Sequence, residues 1–221
     1  MAEKRVMCFG DSNTWGFVPV ATPPSSRYPR ATRWPHVMGA ALGHDVTVIE
    51  EALNGRTTDA PDPLNPLLGG AGLDGSAYLA AALASHLPLD VLVIMLGTND
   101  TKPQFARPPA RIAAGAKRLL DIARTLDGGI GTTYPNPRLL LICPPPLGTF
   151  SLDFAEIFAG GLEKSRALPP FYAAAAWAAG AAFLDAGTVI STDGIDGVHL
   201  SAEMQRRLGL AVAEAVRPLF D

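Results

Sequence analysis

The chain has 221 residues, with 18 Lys and Arg against 21 Asp and Glu, and a formal net charge of −3. That balance, with a pI near 5.8, gives no basic footprint for nucleic acid, and no apolar stretch is long enough for a membrane span or signal-peptide core. The length suits one α/β domain over residues 1–221. The two cysteines, Cys8 and Cys143, read as buried thiols of a reducing cytoplasm rather than a disulfide scaffold.

Taken in order, the first apolar run predicts a strand over 4–9 that stops at Gly10-Asp11-Ser12. Further strands are expected over 46–50, 90–96, 138–143 and 181–185. They are short, rich in Val, Ile and Leu, and mostly without alternation, as parallel strands covered on both faces should be. Helices are expected between them over 34–42, 76–86, 109–126 and 154–179, with a last one over 201–219. Ser201 is the candidate N-cap of the last, with Glu203 in its first turn. Strict βαβα alternation implies an α/β fold with one doubly wound, five-stranded parallel sheet. Two loops are unusually long, 18–33 and 57–75, and loops of that length are commonly functional or interfacial. The mean hydropathy of +0.19 is high for a soluble monomer and suggests apolar surface buried between subunits, hence a homo-oligomer.

In an open α/β sheet ligands bind beyond the carboxyl ends of the strands. Ser12, Gly55 and Asn99 follow the first three strands, and Asp196-Gly197-Val198-His199 follows the fifth, so all are expected on one edge. With two residues between them, the Asp196 carboxylate can fold back onto Nδ1 of His199, leaving Nε2 to take a proton from Ser12. The backbone N–H groups of Ser12 and Gly55 and the side-chain amide of Asn99 are candidate oxyanion donors. Losing one such donor typically costs ~3 kcal/mol. Each piece alone also reads as a turn, a cap or a surface pair; the joint placement on one edge is what favours chemistry. Asp11 and Asp100 read first as supports for loop backbone.

Here the sequence resembles the SGNH (GDSL-like) hydrolase family. Gly10-Asp11-Ser12-Asn13, Asn54-Gly55, Gly97-Thr98-Asn99-Asp100 and Asp196-Gly197-Val198-His199 stand in family order along nearly the whole chain. Arg56-Thr57-Thr58, Gly131-Thr132-Thr133-Tyr134-Pro135 and Ile190-Ser191-Thr192-Asp193-Gly194 are similar to the mycobacterial arylesterase/acyltransferase subgroup. The resemblance implies a flavodoxin-like sheet with helices on both faces. It also implies Ser12 as nucleophile, His199 as base with Asp196 as its partner, and Ser12, Gly55 and Asn99 as the oxyanion hole. Multi-subunit rings and acyl transfer to alcohols or peroxide are further implications. Asn13 stands where the eponymous motif has Leu, and Gly69–Gly75 looks longer than in the mycobacterial subgroup.

Asn13 and Trp15, next to the nucleophile, are candidate substrate contacts; Trp15 either walls the acyl pocket or packs. Trp177 is expected to pack, His36 and His44 to lie at the surface, and His86 to end a helix. No His pair or Cys-x-x-Cys has metal-ligand spacing, so neither metal nor organic cofactor is expected. Gly70-Ala71-Gly72-Leu73-Asp74-Gly75 matches a dinucleotide-binding pattern but follows no strand, which argues against it. The expected activity is hydrolysis of small carboxylic esters, with water or an alcohol as acyl acceptor. The rivals are carbohydrate O-deacetylation and a catalytically silent binding protein on the same fold.

Overall fold

The computed structural model describes residues 3–65, 70–192 and 195–220. Residues 66–69 of the second long loop, Asp193-Gly194 of the motif run and the chain's end residues lie outside these. The strands are β1 (Lys4–Gly10), β2 (Val46–Ala52), β3 (Val91–Met95), β4 (Arg138–Cys143) and β5 (Ala182–Asp185). They form one parallel sheet of order β2-β1-β3-β4-β5. The order reverses at β1, and Gly10 at its end pairs with both Ala52 and Met95, opening a crevice beyond the strand ends there.

Successive side chains of the inner strands go to opposite faces, and each face has its own core. Met7, Phe9, Leu92, Ile94 and Leu141 pack with Leu79, Leu83, Ile112, Leu119 and Tyr172. These come from α3 (Gly75–His86), α4 (Pro109–Arg124) and α7 (Leu168–Ala179). Val6, Cys8, Val93, Met95, Leu140 and Ile142 pack with Trp34, Met38, Leu208 and Val212. These belong to α2 (Trp34–Leu42) and α8 (Ala202–Val216). Burial of each such side chain contributes roughly 1.5–3 kcal/mol. Two-sided burial explains the missing alternation in β1, β3 and β4; the edge strands β2 and β5 are only partly covered. Both cysteines are free and buried.

Several expectations need correction. The helix expected over 154–179 is divided into α5 (Leu152–Ile157), α6 (Gly161–Arg166) and α7. Gly160 between the first two adopts φ +70°, and Pro169-Pro170 belong to the opening turn of α7, where their missing N–H groups cost nothing. Trp177 does not pack: it is 86% exposed. Tyr172, Ala175, Ala176 and Ala179 form the inward face of α7, so residue 177 projects outward. His36 is half-buried, with Nε2 2.9 Å from Glu50. His86 does end α3, and its Nε2 lies 2.9 Å from Glu51. Ser201 caps α8 by accepting the Met204 N–H. The glycine-rich run 70–75 follows no strand; Asp74 caps α3 by accepting from Ser76 and Ala77.

Candidate active site

The turn after β1 is compact for a local reason. Asp11 caps the single-turn α1 (Ser12–Trp15), its Oδ1 accepting the Asn13 N–H at 3.0 Å, and Gly16 closes the turn with φ +90°. A Cβ on Gly10 would stand 2.0 Å from Thr14 Oγ1, so only glycine lets the chain turn here. Ser12 is thereby presented at the first position of the turn, with only 6% of its surface exposed.

The loop before α8 folds onto Ser12. Asp196 Oδ1 accepts the N–H groups of Val198 and His199, both at 2.8 Å. Oδ2 lies 2.9 Å from His199 Nδ1 and accepts the Val20 N–H at 3.3 Å. His199 Nε2 is 3.0 Å from Ser12 Oγ. An ionised carboxylate only accepts, so Nδ1 bears the ring proton and Nε2 is left to accept from the serine hydroxyl. Burial works to raise the Asp196 pKa. The hydrogen bond from His199, its charge and the two backbone donors outweigh that and hold the carboxyl below its ordinary value. Phe17 stacks on the imidazole at 4.0 Å between centroids, and Phe154 meets it edge-on at 5.7 Å.

The three residues expected to supply oxyanion donors border one cavity. Gly55 has φ +83°, a conformation that suits glycine. Asn99 Nδ2 donates to the Arg56 carbonyl at 3.1 Å, which orients the amide and leaves its second N–H free for an occupant. Ser12, Gly55, Asn99 and His199 line one cavity of about 230 Å³, walled by Phe17, Pro23, Phe154, Ile157, Phe158 and Val198. A larger groove of about 640 Å³ lies elsewhere, against α2 and α8, and none of its lining residues is a serine or cysteine. The candidate nucleophile therefore lies in the smaller cavity.

Asp11 and Asp100 support loop backbone, as expected. Asp100 accepts from the Thr58 N–H at 3.0 Å and from Arg107 at 3.0 Å. Asp11 keeps an unpartnered Oδ2, and burial is the main cause pushing its pKa up to about 7. Arg56, whose pKa burial lowers to about 10, bonds the Gly10 carbonyl at 3.1 Å and stacks on Phe9 at 4.2 Å. It thus ties the end of β1 to the loop that carries Gly55.

Two expected substrate contacts lie elsewhere. Asn13 turns its amide away from the cavity: Nδ2 donates to the Val198 carbonyl, and Oδ1 accepts the Leu200 N–H, both at 3.2 Å. It clamps the His199 loop from either side, a distance of more than 180 residues in sequence. Trp15 does not line the cavity; its ring stacks under Arg27 at 4.8 Å. Phe17, two residues on, takes the wall position. Phe154, Phe158 and Lys102 also line the cavity and were not singled out as site residues from sequence. Among the described residues no group of three or more His, Cys, Asp or Glu is placed to hold a metal ion. No helix among them is long and apolar enough to cross a membrane.

Comparison with known proteins agrees with this geometry. A model of the GDSL-like lipase/acylhydrolase family matches residues 8–207. A carbohydrate acetylesterase from Sinorhizobium meliloti is 50% identical, with TM-score 0.94, covering 99% of this chain and 100% of that one. The M. smegmatis aryl esterase is 48% identical, with TM-score 0.93, covering 98% and 99%. A further carbohydrate acetylesterase family member from S. meliloti is 40% identical, with TM-score 0.89, covering 98% and 99%. The search of curated proteins returned no match. The match over nearly the whole chain, on a five-stranded parallel sheet of this fold, means that the chain belongs to the GDSL-like lipase/acylhydrolase family and is a carboxylic ester hydrolase.

Proposed function

We propose a serine esterase that acts on small carboxylic esters through an acyl-enzyme, built on a single domain over residues 1–221. The observation that carries this reading is the unbroken line Asp196 Oδ2, His199 Nδ1, His199 Nε2, Ser12 Oγ, with separations of 2.9 and 3.0 Å. Ser12 Oγ attacks the ester carbonyl as His199 Nε2 takes its proton. The negative charge moves onto the carbonyl oxygen, where the N–H groups of Ser12 and Gly55 and the Asn99 amide receive it. Collapse breaks the bond to the alcohol, and His199 returns the proton to the leaving oxygen. Water, deprotonated by the same nitrogen, then attacks the acyl-enzyme and releases the acid and free Ser12. Asp196 stays ionised throughout and holds the imidazole in the tautomer that this sequence of steps needs.

The apolar walls and the Phe17 ring on His199 favour an alcohol over water at the second step, which supports transesterification and perhydrolysis as side activities. Carbohydrate O-deacetylation is the second reading, favoured by the 50% identity to a carbohydrate acetylesterase. Homo-oligomerisation is supported by Trp177 and by Leu152, the latter 92% exposed at the start of the cavity-lining α5. The unpaired thiols of Cys8 and Cys143 support a reducing, cytoplasmic setting.

Turnover of p-nitrophenyl acetate beside acetylated sugars tests the substrate class. Rapid hydrolysis of the aryl ester with slow sugar deacetylation supports the first reading, and the reverse order supports the second. Benzyl alcohol supplied with an acyl donor in buffer should give new ester at early times; free acid alone would make the enzyme a plain hydrolase. A monomer mass by light scattering at micromolar concentration would remove the oligomer.

A further inference from the structure

The cavity contains one lysine that the proposed steps do not use. Lys102 directly follows the short 3-10 turn Asn99–Thr101, and its N–H donates to the Asn99 carbonyl at 3.2 Å. The segment that carries Asn99 therefore also brings Lys102 to the wall of the cavity that contains Ser12 and His199. The chain has four lysines. Lys4 finds the Asp90 carboxylate at 3.1 Å, Lys117 finds Asp121 at 2.7 Å, and Lys164 finds the Thr101 carbonyl at 3.0 Å. The Lys102 ammonium makes no hydrogen bond or ion pair among the described residues. Its Nζ stands 5.3 Å from the centre of the Phe158 ring.

The surroundings say what is missing. Burial lowers the Lys102 pKa, against the fields of Asp62, Asp11 and Asp100, and none of these carboxylates lines the cavity. Asp100 is already paired with Arg107 at 3.0 Å, and the Asp11 carboxyl, at about 7, is only partly ionised at neutral pH. Phe158 stands beside the ammonium, and Phe17, Pro23, Phe154, Ile157 and Val198 line the same cavity. An ammonium brings three N–H donors, and withdrawing it from water without an acceptor is costly. An anionic oxygen satisfies it about twice as strongly as a neutral one.

We infer that Lys102 makes this cavity selective for esters that carry a carboxylate, on either the acyl or the alcohol portion, positioned to meet Nζ while Ser12 attacks. The inference rests on the esterase reading above. A cavity of about 230 Å³ suits short half-esters of dicarboxylic acids or acetyl esters of small hydroxy acids. The Phe17 and Phe154 walls then hold the apolar spacer between the two functional groups.

The test compares charged and neutral esters of matched shape by pH-stat. Monoethyl glutarate against ethyl pentanoate places the carboxylate on the acyl side; 4-acetoxybenzoate against its methyl ester places it on the alcohol side. In the wild type, kcat/KM should favour the charged member of at least one pair. That ratio should fall about tenfold or more in Lys102→Met and recover in Lys102→Arg. The pair that responds identifies the side that Lys102 reads. A ratio that stays within about twofold in both pairs overturns the inference. If Lys102→Met does not fold, competition in the wild type decides: glutarate and 4-hydroxybenzoate should inhibit p-nitrophenyl acetate turnover better than their neutral amides, and equal inhibition overturns it. A wild type that hydrolyses neither these esters nor p-nitrophenyl acetate would instead sink the esterase reading itself.

Discussion

Two buried carboxylates flank Ser12, and their surroundings give them opposite character. Asp196, on the loop before α8, has both oxygens engaged: two backbone N–H groups on Oδ1, His199 and Val20 on Oδ2. Asp11, on the turn after β1, accepts one N–H on Oδ1 and leaves Oδ2 bare. The first is held below the ordinary carboxylate range, and the second is pushed up to about 7. Burial raises both; at Asp196 the hydrogen bond from His199, its charge and two backbone donors outweigh it, whereas at Asp11 one backbone donor and the charges of Lys102 and Arg56 do not. Only the stable anion can hold an imidazole in one tautomer and balance the imidazolium that forms. The difference assigns Asp196 to His199 and leaves Asp11 as a cap.

The comparison breaks most severely if the nucleophile and base are misassigned. Ser12→Ala and His199→Ala should each remove nearly all turnover of p-nitrophenyl acetate, on the order of 10⁶-fold, and the double variant should be little worse than either. Members of a triad act as a unit, so additive losses would contradict the assignment. Asp196→Asn should lower kcat by roughly 10³- to 10⁴-fold, because an amide can orient the imidazole in the wrong tautomer. Asn99→Ala should lower kcat by roughly 10²- to 10³-fold with KM nearly unchanged, since an oxyanion exists only in the transition state. A rise in KM alone would make Asn99 a ground-state contact instead.

The smallest effect sharpens the comparison through pH. Asp196 is depressed, so its contribution to stability is present above the ordinary carboxylate pKa and is lost as pH falls through its folded value. Asp11 is raised, so the sign reverses: stability declines as pH climbs from the ordinary carboxylate range through about 7. Asp11→Asn keeps a capping side chain and cannot ionise. Relative to wild type it should gain on the order of 1–3 kcal/mol as pH rises to about 8. Asp196→Asn should lose against wild type at neutral pH and close the gap in acid. Thermal melts of both variants across pH check the opposite slopes; parallel slopes would mean that the two carboxylates do not differ.

Much of this was legible in the sequence because it depends on short-range pattern. The continuous apolar runs placed all five strands, and Ser12, Gly55, Asn99, Asp196 and His199 could be assigned to one edge from the strands that they follow. What was not legible depends on contacts distant in sequence. Asn13 looked like a substrate group from its neighbour Ser12, but its amide is taken by Val198 and Leu200 at the far end of the chain. Trp15 and Phe17 are both aromatic and close to the nucleophile, and only the path of the turn at Gly16 decides that Phe17 meets the imidazole. The helix expected over 154–179 has helix-favouring Ala, Leu, Glu and Lys over most of its length. The Gly160-Gly161 pair and Pro169-Pro170 were the local signs of its division, and that division is what brings Phe154 and Phe158 to the cavity.

The most direct measurement is the mapping of a serine-directed phosphonate by peptide mass spectrometry on active enzyme, with the rate of labelling followed in parallel. Labelling should be stoichiometric and confined to Ser12, should abolish turnover in proportion, and should slow by several orders of magnitude in His199→Ala and less in Asp196→Asn. A fully active enzyme that takes no label at Ser12, or one that labels at the same rate without His199, would contradict the line from Asp196 through His199 to Ser12.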